Sequence, residues 1–384
     1  MADALLGFVG DVCVNRQNPS EVFREVRGIL RVPDVMFANL EGACTDDPHP
    51  VPSAHQVISA PSRSLDVYAE VGFKVLSLAN NHIVDVGYEA MLETRSRLHA
   101  QDVSTCGAGA CLAEASQPAI LNVNGVSIAF LAYASVFPIG YEARSNRPGL
   151  APLRAYNFFR EPFPLVHVPG VRPLITTVPD QTDLARMIED IGRARARADL
   201  VVVSFHWGDQ SLPCHLTDHE TRTARYCIDR GADMVVGHHH HAIRGMEWYR
   251  GKPILYGLGH FVFDHLGNVK SAEELLEPDV VQYLRQINAT TDPARYFDFP
   301  DYYRMTLVAW AVADRTGIRD IGFLPCRLAA EGIVHPLRLD SPEGAEVVRH
   351  LEQCNRTQGL KSRVVADAAV RLAGFETMRV VETA

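Results

Sequence analysis

Residues 233–241 read DMVVGHHHH, a short apolar run that ends in a glycine and four consecutive histidines. An apolar run of this length, rich in β-branched residues and bounded by polar ones, is typical of a buried β-strand. The histidines therefore follow the carboxyl end of a strand. Because the tract is internal, we interpret it as part of the fold and not as an expression tag.

The same pattern occurs at five other places in the chain. Apolar runs at 5–9, 35–38, 75–79, 200–205 and 254–258 are followed in turn by Gly10-Asp11, Asn39-Leu40-Glu41, Asn80-Asn81-His82, His206-Trp207-Gly208 and Gly259-His260. In open α/β sheets the carboxyl ends of the strands converge, and ligands bind there. We therefore expect these polar side chains to form one site.

Helical patterns separate the apolar runs, at residues 88–100, 181–196 and 218–231, with further helices predicted at 20–30, starting near Ser20, and at 344–372. Strands that alternate with helices predict an α/β fold. Residues 119–123 and 126–132 flank Asn124-Gly125, which predicts a hairpin with a type I′ turn. The sheet is therefore expected to be mixed.

The residue types at the strand ends predict a metal site. Carboxylates, amides and imidazoles together offer mixed nitrogen and oxygen ligands, which suit Mn²⁺, Fe or Zn²⁺ better than Ca²⁺ or Mg²⁺. If the histidine run is extended, His239 and His241 share one face and His238 and His240 the other. One pair, and not all four rings, is then expected to reach the metal.

Composition excludes several classes of function. The net charge is −9, from 37 basic and 46 acidic residues, which argues against nucleic-acid binding because that requires clustered cations. The amino-terminal sequence MADALLGFVGDV lacks the features of a signal peptide, and no apolar run reaches the ~20 residues of a membrane span. We predict a cytoplasmic protein that acts on a small molecule without a membrane partner; the oligomeric state stays open.

The eight cysteines are scattered and include no C-x-x-C pair, so the sequence predicts neither a zinc ribbon nor a disulfide scaffold. Most are expected to be reduced and packed in the interior. Cys13 is of interest because it lies next to the potential ligand Asp11.

Two stretches interrupt the alternation of strands and helices. Residues 156–179 hold Phe158, Phe159 and five prolines, and residues 265–303 end in the aromatic residues Tyr296, Phe297, Phe299, Tyr302 and Tyr303. Long loops without secondary structure are often lids or binding loops. The first stretch is therefore either a lid over the site or padding beneath the domain.

Six motifs occur in the order seen in the CapA-type proteins of poly-γ-glutamate capsule synthesis, which resemble calcineurin-like metallophosphoesterases in fold. They are Gly10-Asp11 with Arg16, Asn39-Leu40-Glu41, Asn80-Asn81-His82-x-x-Asp85-x-Gly87, His206-Trp207-Gly208, Gly237-His238-His239-x-His241, and Gly251-Lys252-Pro253 through Phe261-Val262-Phe263-Asp264. The resemblance covers roughly residues 4–265.

The resemblance implies a four-layer α/β/β/α sandwich with mixed sheets and one or two divalent ions at one end. The implied core spans residues 1–265 with a lid-like insert at 156–179, and residues 266–384 extend and complete the same domain. The implied metal ligands are Asp11, Glu41, Asn81, His206, His239 and His241, with Glu41 bridging. His82 resembles the general acid of the phosphoesterases, and the expected catalytic set is His82, Asp85, His206 and His260.

Other residues are expected to contact the substrate or to support the ligands: Cys13, Arg16, Asn39, Asn80, Trp207, Gln210, His238, His240, Phe158 and Phe159. The chain also departs from its relatives. Cys13 occupies a position where the phosphoesterases usually have a histidine, which makes a single metal ion, or none, an alternative to two. Gln210, His240 and His260 replace an acidic residue, a proline and an asparagine that are usual in CapA-type chains.

Three functions are compatible with these features. The first is a cytoplasmic, metal-dependent biosynthetic enzyme that hydrolyses its substrate or eliminates or adds water, with possible ring closure, on a substrate with an apolar portion. Lewis-acid activation and proton transfer by an imidazole are the chemistry that these residue types supply. The second is a two-metal phosphoesterase or amide hydrolase. The third is a non-catalytic accessory protein of polymer synthesis.

Overall fold

The computed structural model describes residues 3–54, 56–210, 212–264, 301–329 and 331–383. Its strands are β1 (Ala4–Cys13), β2 (Val35–Leu40), β3 (Ala43–Cys44), β4 (Ser59–Ala60), β5 (Phe73–Ser77), β6 (Ser104–Cys106), β7 (Ala108–Gly109), β8 (Ala119–Val123), β9 (Val126–Ala134), β10 (Gly149–Leu150), β11 (Ala155–Arg160), β12 (Leu174–Pro179), β13 (Leu200–His206), β14 (Met234–His238), β15 (Met246–Tyr249), β16 (Lys252–Leu255), β17 (His260–Phe263), β18 (Met305–Asp314), β19 (Gly317–Leu328), β20 (Val334–Pro336), β21 (Ser362–Leu372) and β22 (Phe375–Glu382). The α-helices are α1 (Arg27–Leu30), α2 (Ser64–Val71), α3 (Tyr88–Ala100), α4 (Leu112–Ala115), α5 (Gln181–Arg195), α6 (Asp218–Asp229) and α7 (Pro342–Gln358).

The larger sheet is built around β1. In the described part of the chain it has ten strands, with the order β21-β22-β19-β18-β1-β2-β5-β6, while β17 also pairs with β1 and β20 with β19. Strands β1, β2, β5 and β6 are parallel neighbours, and β18 and β19 join antiparallel. Asp11 is in register with Asn39 on β2 and with His260 on β17. The sheet therefore brings three predicted site residues side by side.

The second sheet carries the histidine-ending strands. Its order is β15-β16-β14-β13-β9-β8, with β9, β13, β14 and β16 parallel. His206 at the end of β13 is in register with His238 at the end of β14. Strands β8 and β9 form the predicted hairpin, and Asn124 and Gly125 have positive φ angles of 51° and 81°, as a type I′ turn requires.

Buried residues of the two sheets belong to one hydrophobic cluster, in which Phe37 of β2 stacks on Phe130 of β9 with ring centroids 5.6 Å apart. A second cluster lies between strands β13 and β14 and the helices α5 and α6, and includes Met187, Val203 and Cys227. The fold is therefore a mixed α/β structure with several sheets. Its two large sheets place their strand ends near one another.

Most predicted elements are present, with shifts at their ends. The predicted run 5–9 lies within β1, which continues through Asp11, and the helix at 88–100 corresponds to α3. The helix predicted at 20–30 is wrong, since a 3₁₀ turn at Pro19–Phe23 is followed by the single-turn α1. Two separate turns still bury Val22, Phe23 and Leu30, so the apolar spacing does not require a continuous helix.

The carboxyl-terminal prediction is also partly wrong. The helical region expected over 344–372 ends with α7 at Gly359, which adopts a left-handed φ of 62°, and residues 362–372 form β21. A glycine in this conformation is a common helix stop. Strands β18 to β22 add to the sheet that contains β1.

The structure describes the first of the two aromatic stretches, residues 156–179, in full and the second, residues 265–303, only in part. Residues 156–179 are not a structureless loop, because β11 and β12 pair as an antiparallel ribbon. Of the second stretch, Tyr302 and Tyr303 are described, while residues 265–300, with Tyr296, Phe297 and Phe299, lie outside the described residues.

The structure contains a cysteine pair that the sequence did not predict. Cys214 and Cys354 form a disulfide across a sequence separation of 140 residues, and the other six cysteines are free. The spacing of the cysteines in the sequence does not reveal this pair, because only tertiary packing brings α7, which carries Cys354, close to the loop that carries Cys214. None of the described helices combines the length and apolar character needed to cross a bilayer.

Candidate metal centre

Asp11 lies at the point where β1 leaves its regular pairing. Its backbone N–H donates to Gly259 O at 3.0 Å, and the ladder to β17 shifts register directly after it. A Cβ on the preceding Gly10 would lie 1.7 Å from Gly259 O, so this close approach of two backbones requires glycine. The Gly10-Asp11 motif thus fixes a buried carboxylate at the strand end.

Two asparagines hold that carboxylate in place. The Nδ2 of Asn39 donates to Asp11 Oδ1 at 2.8 Å, and the Nδ2 of Asn80 donates to Asn39 Oδ1 at 3.1 Å. Asn80 also donates to Leu40 O and accepts from the backbone N–H of His82. Asn39 and Asn80 are therefore placed as supports of Asp11 and of the loop that carries His82.

Glu41 is the centre of the cluster. Its side chain is fully buried, and neither carboxylate oxygen has a hydrogen-bond donor among the described residues. Its Oε1 lies 3.9 Å from the Nε2 atoms of His82 and His206 and 3.8 Å from that of His241. Burial, followed by the negative charges of Asp11 and Asp85, raises the pKa of Glu41 well above its usual value.

The histidine run does not stay extended. Strand β14 ends at His238, and His239 and His241 have positive φ angles of 90° and 56°. The expected alternation of faces is therefore wrong, because the chain turns within the run. His238 and His241 both approach Asp11, with Nδ1 atoms 3.4 and 3.2 Å from its carboxylate oxygens, and His239 Nδ1 lies 3.2 Å from His206 Nε2.

His240 faces away from the other three rings. Its Nε2 lies 2.7 Å from Oε1 of Glu220, which is itself buried at the start of α6. Glu220 also accepts from the backbone and hydroxyl of Thr217 in a capping box. The run is thus anchored to α6 through His240, while its neighbours face Asp11 and His206.

Burial keeps several of these imidazoles neutral. It lowers the pKa of His206 and of His239 well below the usual value, and neighbouring histidines add to the effect. For Asp11, burial alone would raise the pKa, but His238 and His241 outweigh it and hold the pKa well below the usual range. A neutral imidazole retains the lone pair that a metal ion needs.

His82 and Asp85 form a separate pair at the edge of the cluster. The Nδ1 of His82 lies 2.7 Å from Asp85 Oδ2, and Asp85 also accepts from the Tyr141 hydroxyl at 2.8 Å and from the Ile58 N–H at 2.8 Å. When Asp85 accepts the proton of Nδ1, the Nε2 atom faces Asn81 at 2.8 Å and Glu41. This geometry orients one ring nitrogen toward the cluster.

Asn81 and His260 complete the group that the fold brings together. Asn81 Oδ1 lies 2.6 Å from His206 Nε2. The ring of His260 is buried and stacks on His241 with centroids 4.2 Å apart. Burial, with the charge of His241, lowers the pKa of His260 well below its usual value.

Other predicted site residues have different surroundings. Arg16 forms an ion pair with Asp264 and donates to Glu331 O, so its guanidinium is engaged within the protein. Trp207 is buried in the second hydrophobic cluster, stacked on Phe205 at 4.4 Å. These two contacts give both residues a structural role.

Cys13 and Gln210 lie near the cluster without a side-chain contact to the ligands among the described hydrogen bonds. Cys13 packs with Ile58 and Phe263, and burial raises the pKa of its thiol well above the usual value. The backbone carbonyl oxygen of Gln210 accepts a hydrogen bond from the Tyr303 hydroxyl at 2.7 Å.

Phe158 and Phe159 are exposed on β11, with 57% and 67% of their surface accessible. They therefore do not pad the interior. The base of their ribbon is close to the cluster through α6, since the Thr177 hydroxyl accepts from the N–H of His219 at 2.9 Å, next to Glu220.

The sequence did not single out Glu220, Arg244 or Tyr141. Glu220 had a detectable signal, because Thr217-x-x-Glu220 is a capping box, but its bond to His240 depends on tertiary packing. Tyr141 and Arg244 lie in segments without a motif. Both are fully or almost fully buried.

The donor set fits a metal ion. Asp11, Glu41 and His241 each offer a ligand atom, and these atoms all lie within 4.8 Å of one another. The oxygens of Glu41 are buried and have no hydrogen-bond partner among the described residues, a costly arrangement that a bound cation would relieve. His206, His239 and Asn81 are placed to add imidazole and amide donors.

Comparison with known proteins gives a consistent result. Residues 5–265 match the family model described as bacterial capsule synthesis protein PGA_cap. The chain is 30% identical over 293 residues to the PGA biosynthesis protein CapA of Bacillus subtilis, covering 74% of this chain and 68% of that protein. It is 29% identical over 299 residues to the capsule biosynthesis protein CapA of Bacillus anthracis, covering 76% and 64%.

A third relative is a probable polyglutamine synthesis accessory protein of Mycobacterium tuberculosis, 33% identical over 197 residues, which cover 50% of this chain and 46% of that protein. The chain spans about two thirds of the length of the two Bacillus proteins. What those whole proteins do therefore extends to this chain only as a proposal.

Proposed function

Because this chain belongs to the bacterial capsule synthesis protein family, we propose that it is a metal-dependent biosynthetic enzyme. The observation that carries the proposal is Glu41, a buried carboxylate with no hydrogen-bond donor among the described residues and with three imidazole nitrogens 3.8–3.9 Å from one oxygen. Buried side-chain polar atoms usually have a hydrogen-bond partner, so two unpartnered carboxylate oxygens call for an explanation. A divalent cation satisfies it and the neutral imidazoles together.

The proposed ligands are Asp11, Glu41, Asn81, His206, His239 and His241. Their mixture of nitrogen and oxygen donors favours Mn²⁺, Fe or Zn²⁺. Asn39 and Asn80 position Asp11 by the hydrogen bonds described above, and Glu220 positions the histidine run through His240. Hydrogen bonds of this kind typically contribute 10–100-fold to metal affinity or activity.

A bound divalent ion would supply Lewis-acid activation of water or of a carbonyl or phosphoryl oxygen. The protein supplies the proton transfer. His82 is held by Asp85 through Nδ1, so its Nε2 can give a proton to a leaving group or take one from water. Tyr141 and the Ile58 N–H fix Asp85, which keeps the ring in one orientation.

The proposed substrate is a small organic molecule with an apolar portion. The ribbon of β11 and β12 exposes Phe158 and Phe159, and its base contacts α6 close to Glu220. The reaction is either hydrolysis or the elimination or addition of water, including ring closure, because the same groups serve each. The four-layer arrangement and the cytoplasmic location expected from the sequence stay predictions.

The test is metal reconstitution followed by substitution. Protein stripped with a chelator should regain turnover with Mn²⁺, Fe²⁺ or Zn²⁺, and His239→Ala should lose metal affinity. His82→Ala should retain the metal and lose turnover. Equal turnover in the stripped protein and in both variants would reject the proposal.

A two-metal phosphoesterase or amide hydrolase is the second candidate. It is favoured by the number of donors, since six proposed ligands exceed the three protein ligands of a catalytic zinc ion that keeps its fourth position open. Two equivalents of metal at full activity would support it. One equivalent at full activity would exclude it.

A non-catalytic accessory role is the third candidate, and it is motivated by the mycobacterial relative, which is named a probable polyglutamine synthesis accessory protein. It predicts that the purified chain has no turnover with any metal. Turnover by the isolated chain would exclude it.

A further inference from the structure

Arg244 is a buried cation that the metal cluster does not use. Its side chain is inaccessible to solvent, and its one recorded hydrogen bond runs from Nη2 to the Asp209 carbonyl oxygen at 3.3 Å. Within the described part of the chain, its Nε and Nη1 atoms have no hydrogen-bond partner and its guanidinium has no ion pair with a carboxylate. Two of its three nitrogens are thus left without an acceptor.

The nearby carboxylate of Glu220 does not accept a hydrogen bond from the Nε or Nη1 atom of Arg244. Its Oε1 pairs with His240, and its Oε2 accepts from both the N–H and the hydroxyl of Thr217. Burial lowers the pKa of Arg244, and Glu220 and Tyr303 are among the groups whose charges oppose that shift. Among the described residues, the guanidinium is therefore a cation without a paired carboxylate, since Asp209 acts on it through its backbone oxygen and its more distant charge.

An unpaired buried cation destabilises a protein, and such groups cluster at functional sites, where a ligand can pair with them. A guanidinium presents its N–H groups as a rigid planar fork that matches the two oxygens of a carboxylate or phosphate. Each such fork of Arg244 combines Nη2 with either Nε or Nη1. Nη2 donates one of its two N–H groups to Asp209 O, so its other N–H and the unpartnered nitrogen beside it still offer this donor set.

The position of Arg244 connects it to the metal centre. It follows His241 by three residues, and a Cβ on Gly257 would contact both the Arg244 side chain and His240 Nδ1. Tyr303, one of the groups around Arg244, lies with its ring 6.5 Å from that of His260, and His260 stacks on His241. A ligand at Arg244 would therefore lie beside the cluster.

We propose that Arg244 binds an anionic group of the substrate, a carboxylate or a phosphate, and orients the remainder of the molecule toward the metal centre. This inference rests on the proposed function for its biological meaning. The anion site itself can be tested without turnover and without metal.

The experiment measures binding of inorganic phosphate and of acetate to the metal-free full-length protein by calorimetry. Wild type should bind at least one of the two, and Arg244→Met should weaken that binding at least tenfold. Arg338→Met is the matched control, because it removes the same charge from a guanidinium already paired with Asp340 on the surface. Its affinity should equal that of wild type.

The preferred anion identifies the anionic group of the substrate. Binding of phosphate alone indicates a phosphorylated substrate, and binding of acetate alone indicates a carboxylic acid. Binding of neither anion, or equal binding by wild type and Arg244→Met, would overturn the proposal. If Arg244→Met does not fold, the Nε–H signal of Arg244 in nuclear magnetic resonance spectra of wild type, assigned with Arg244→Lys, should shift on titration. A constant signal would reject the site.

These outcomes are independent of the metal. Anion binding at Arg244 in a protein that binds no metal would reject the proposed enzymatic function and keep the anion site. Metal-dependent turnover without anion binding at Arg244 would reject the anion site and keep the proposed enzymatic function.

Discussion

The Nε2 atom of His241 lies 3.8 Å from Oε1 of Glu41, although Glu41 follows β2 of one sheet and His241 follows β14 of the other. The His241 ring also approaches Asp11, so one imidazole spans two buried carboxylates. Neither Glu41 oxygen has a donor among the described residues. A metal ion bound here, as proposed, would therefore stabilise the interface between the two sheets.

We predict that Glu41→Gln abolishes metal binding while leaving the metal-free protein as stable as wild type or more so. Glutamine has nearly the same volume and removes the cost of a buried, unpaired acid. Saturating metal should raise the free energy of unfolding of wild type, by about 2.7 kcal/mol at a concentration of 100 times Kd. The variant should show no such increase in thermal unfolding with and without metal.

Asp85 should act through His82 and not through the metal. We predict that Asp85→Asn lowers turnover by about 10–100-fold, because the amide no longer fixes the ring and its proton in the same way. His82→Gln should cost more, about 10²–10⁴-fold, since it removes the proton carrier. Both variants should keep the metal content of wild type, measured by elemental analysis, and His82→Gln should flatten the pH profile of kcat.

Loss of metal in Asp85→Asn would contradict this assignment and would make the pair a structural support of the ligands. Tyr141→Phe is the matched control, because it removes a single hydrogen bond to the other oxygen of Asp85 and should lower turnover less.

The sequence predicted the strands and the location of the cluster because both follow from local rules. Apolar runs mark the buried strands, and polar residues at their ends mark the edge where parallel strands converge. Asp11, Glu41, His206 and the histidine run accordingly lie together. Register alone pairs Asp11 with Asn39 and His260.

The orientation of individual side chains was not predictable in this way. The alternation rule failed at His239 because its φ of 90° ends the strand, and no residue in the run signals that turn. The partners of His240 and Cys214 come from α6 and α7, which are distant in sequence. Such contacts depend on how helices pack against the sheets, which periodicity does not specify.

Gly208 in the His-Trp-Gly motif should be intolerant of any side chain. It has a φ of +88°, and a Cβ there would lie 2.3 Å from His240 Nε2 and 2.7 Å from the Glu220 carboxyl carbon. We predict that Gly208→Ala lowers the free energy of unfolding by about 2–4 kcal/mol, as strain and overpacking add. Urea unfolding measures the change, and turnover should fall because His240 anchors the histidine run.

Gly251→Ala is the matched control for this prediction. Gly251 also has a positive φ, of +70°, but no atom lies within 4 Å of the added methyl group. Its cost should be about 1–2 kcal/mol from backbone strain alone. Equal costs in the two variants would show that the His240–Glu220 pair does not press on Gly208.

Asp183 should stabilise the base of the exposed ribbon in a pH-dependent manner. It is buried and accepts from Arg154 Nε at 2.7 Å and from Arg186 at 2.8 Å. Burial alone would raise the pKa of Asp183, but these hydrogen bonds lower it below the usual value. A lowered folded-state pKa means that the stabilisation is complete above the unfolded pKa of about 3.9 and is lost as the pH falls through the folded value.

We therefore predict that Asp183→Asn lowers the free energy of unfolding by about 2 kcal/mol at pH 7, less than for a fully buried pair because Arg154 is partly exposed. The difference from wild type should begin to shrink as the pH falls below about 4, where the carboxyl of the unfolded chain takes up its proton, and should be lost once the pH falls below the lowered folded-state pKa. Asp180→Asn is the control, since Asp180 caps α5 and asparagine caps a helix equally well. A difference between Asp183→Asn and wild type that stays constant from pH 7 to pH 3 would show that the charge of Asp183 does not support the ribbon.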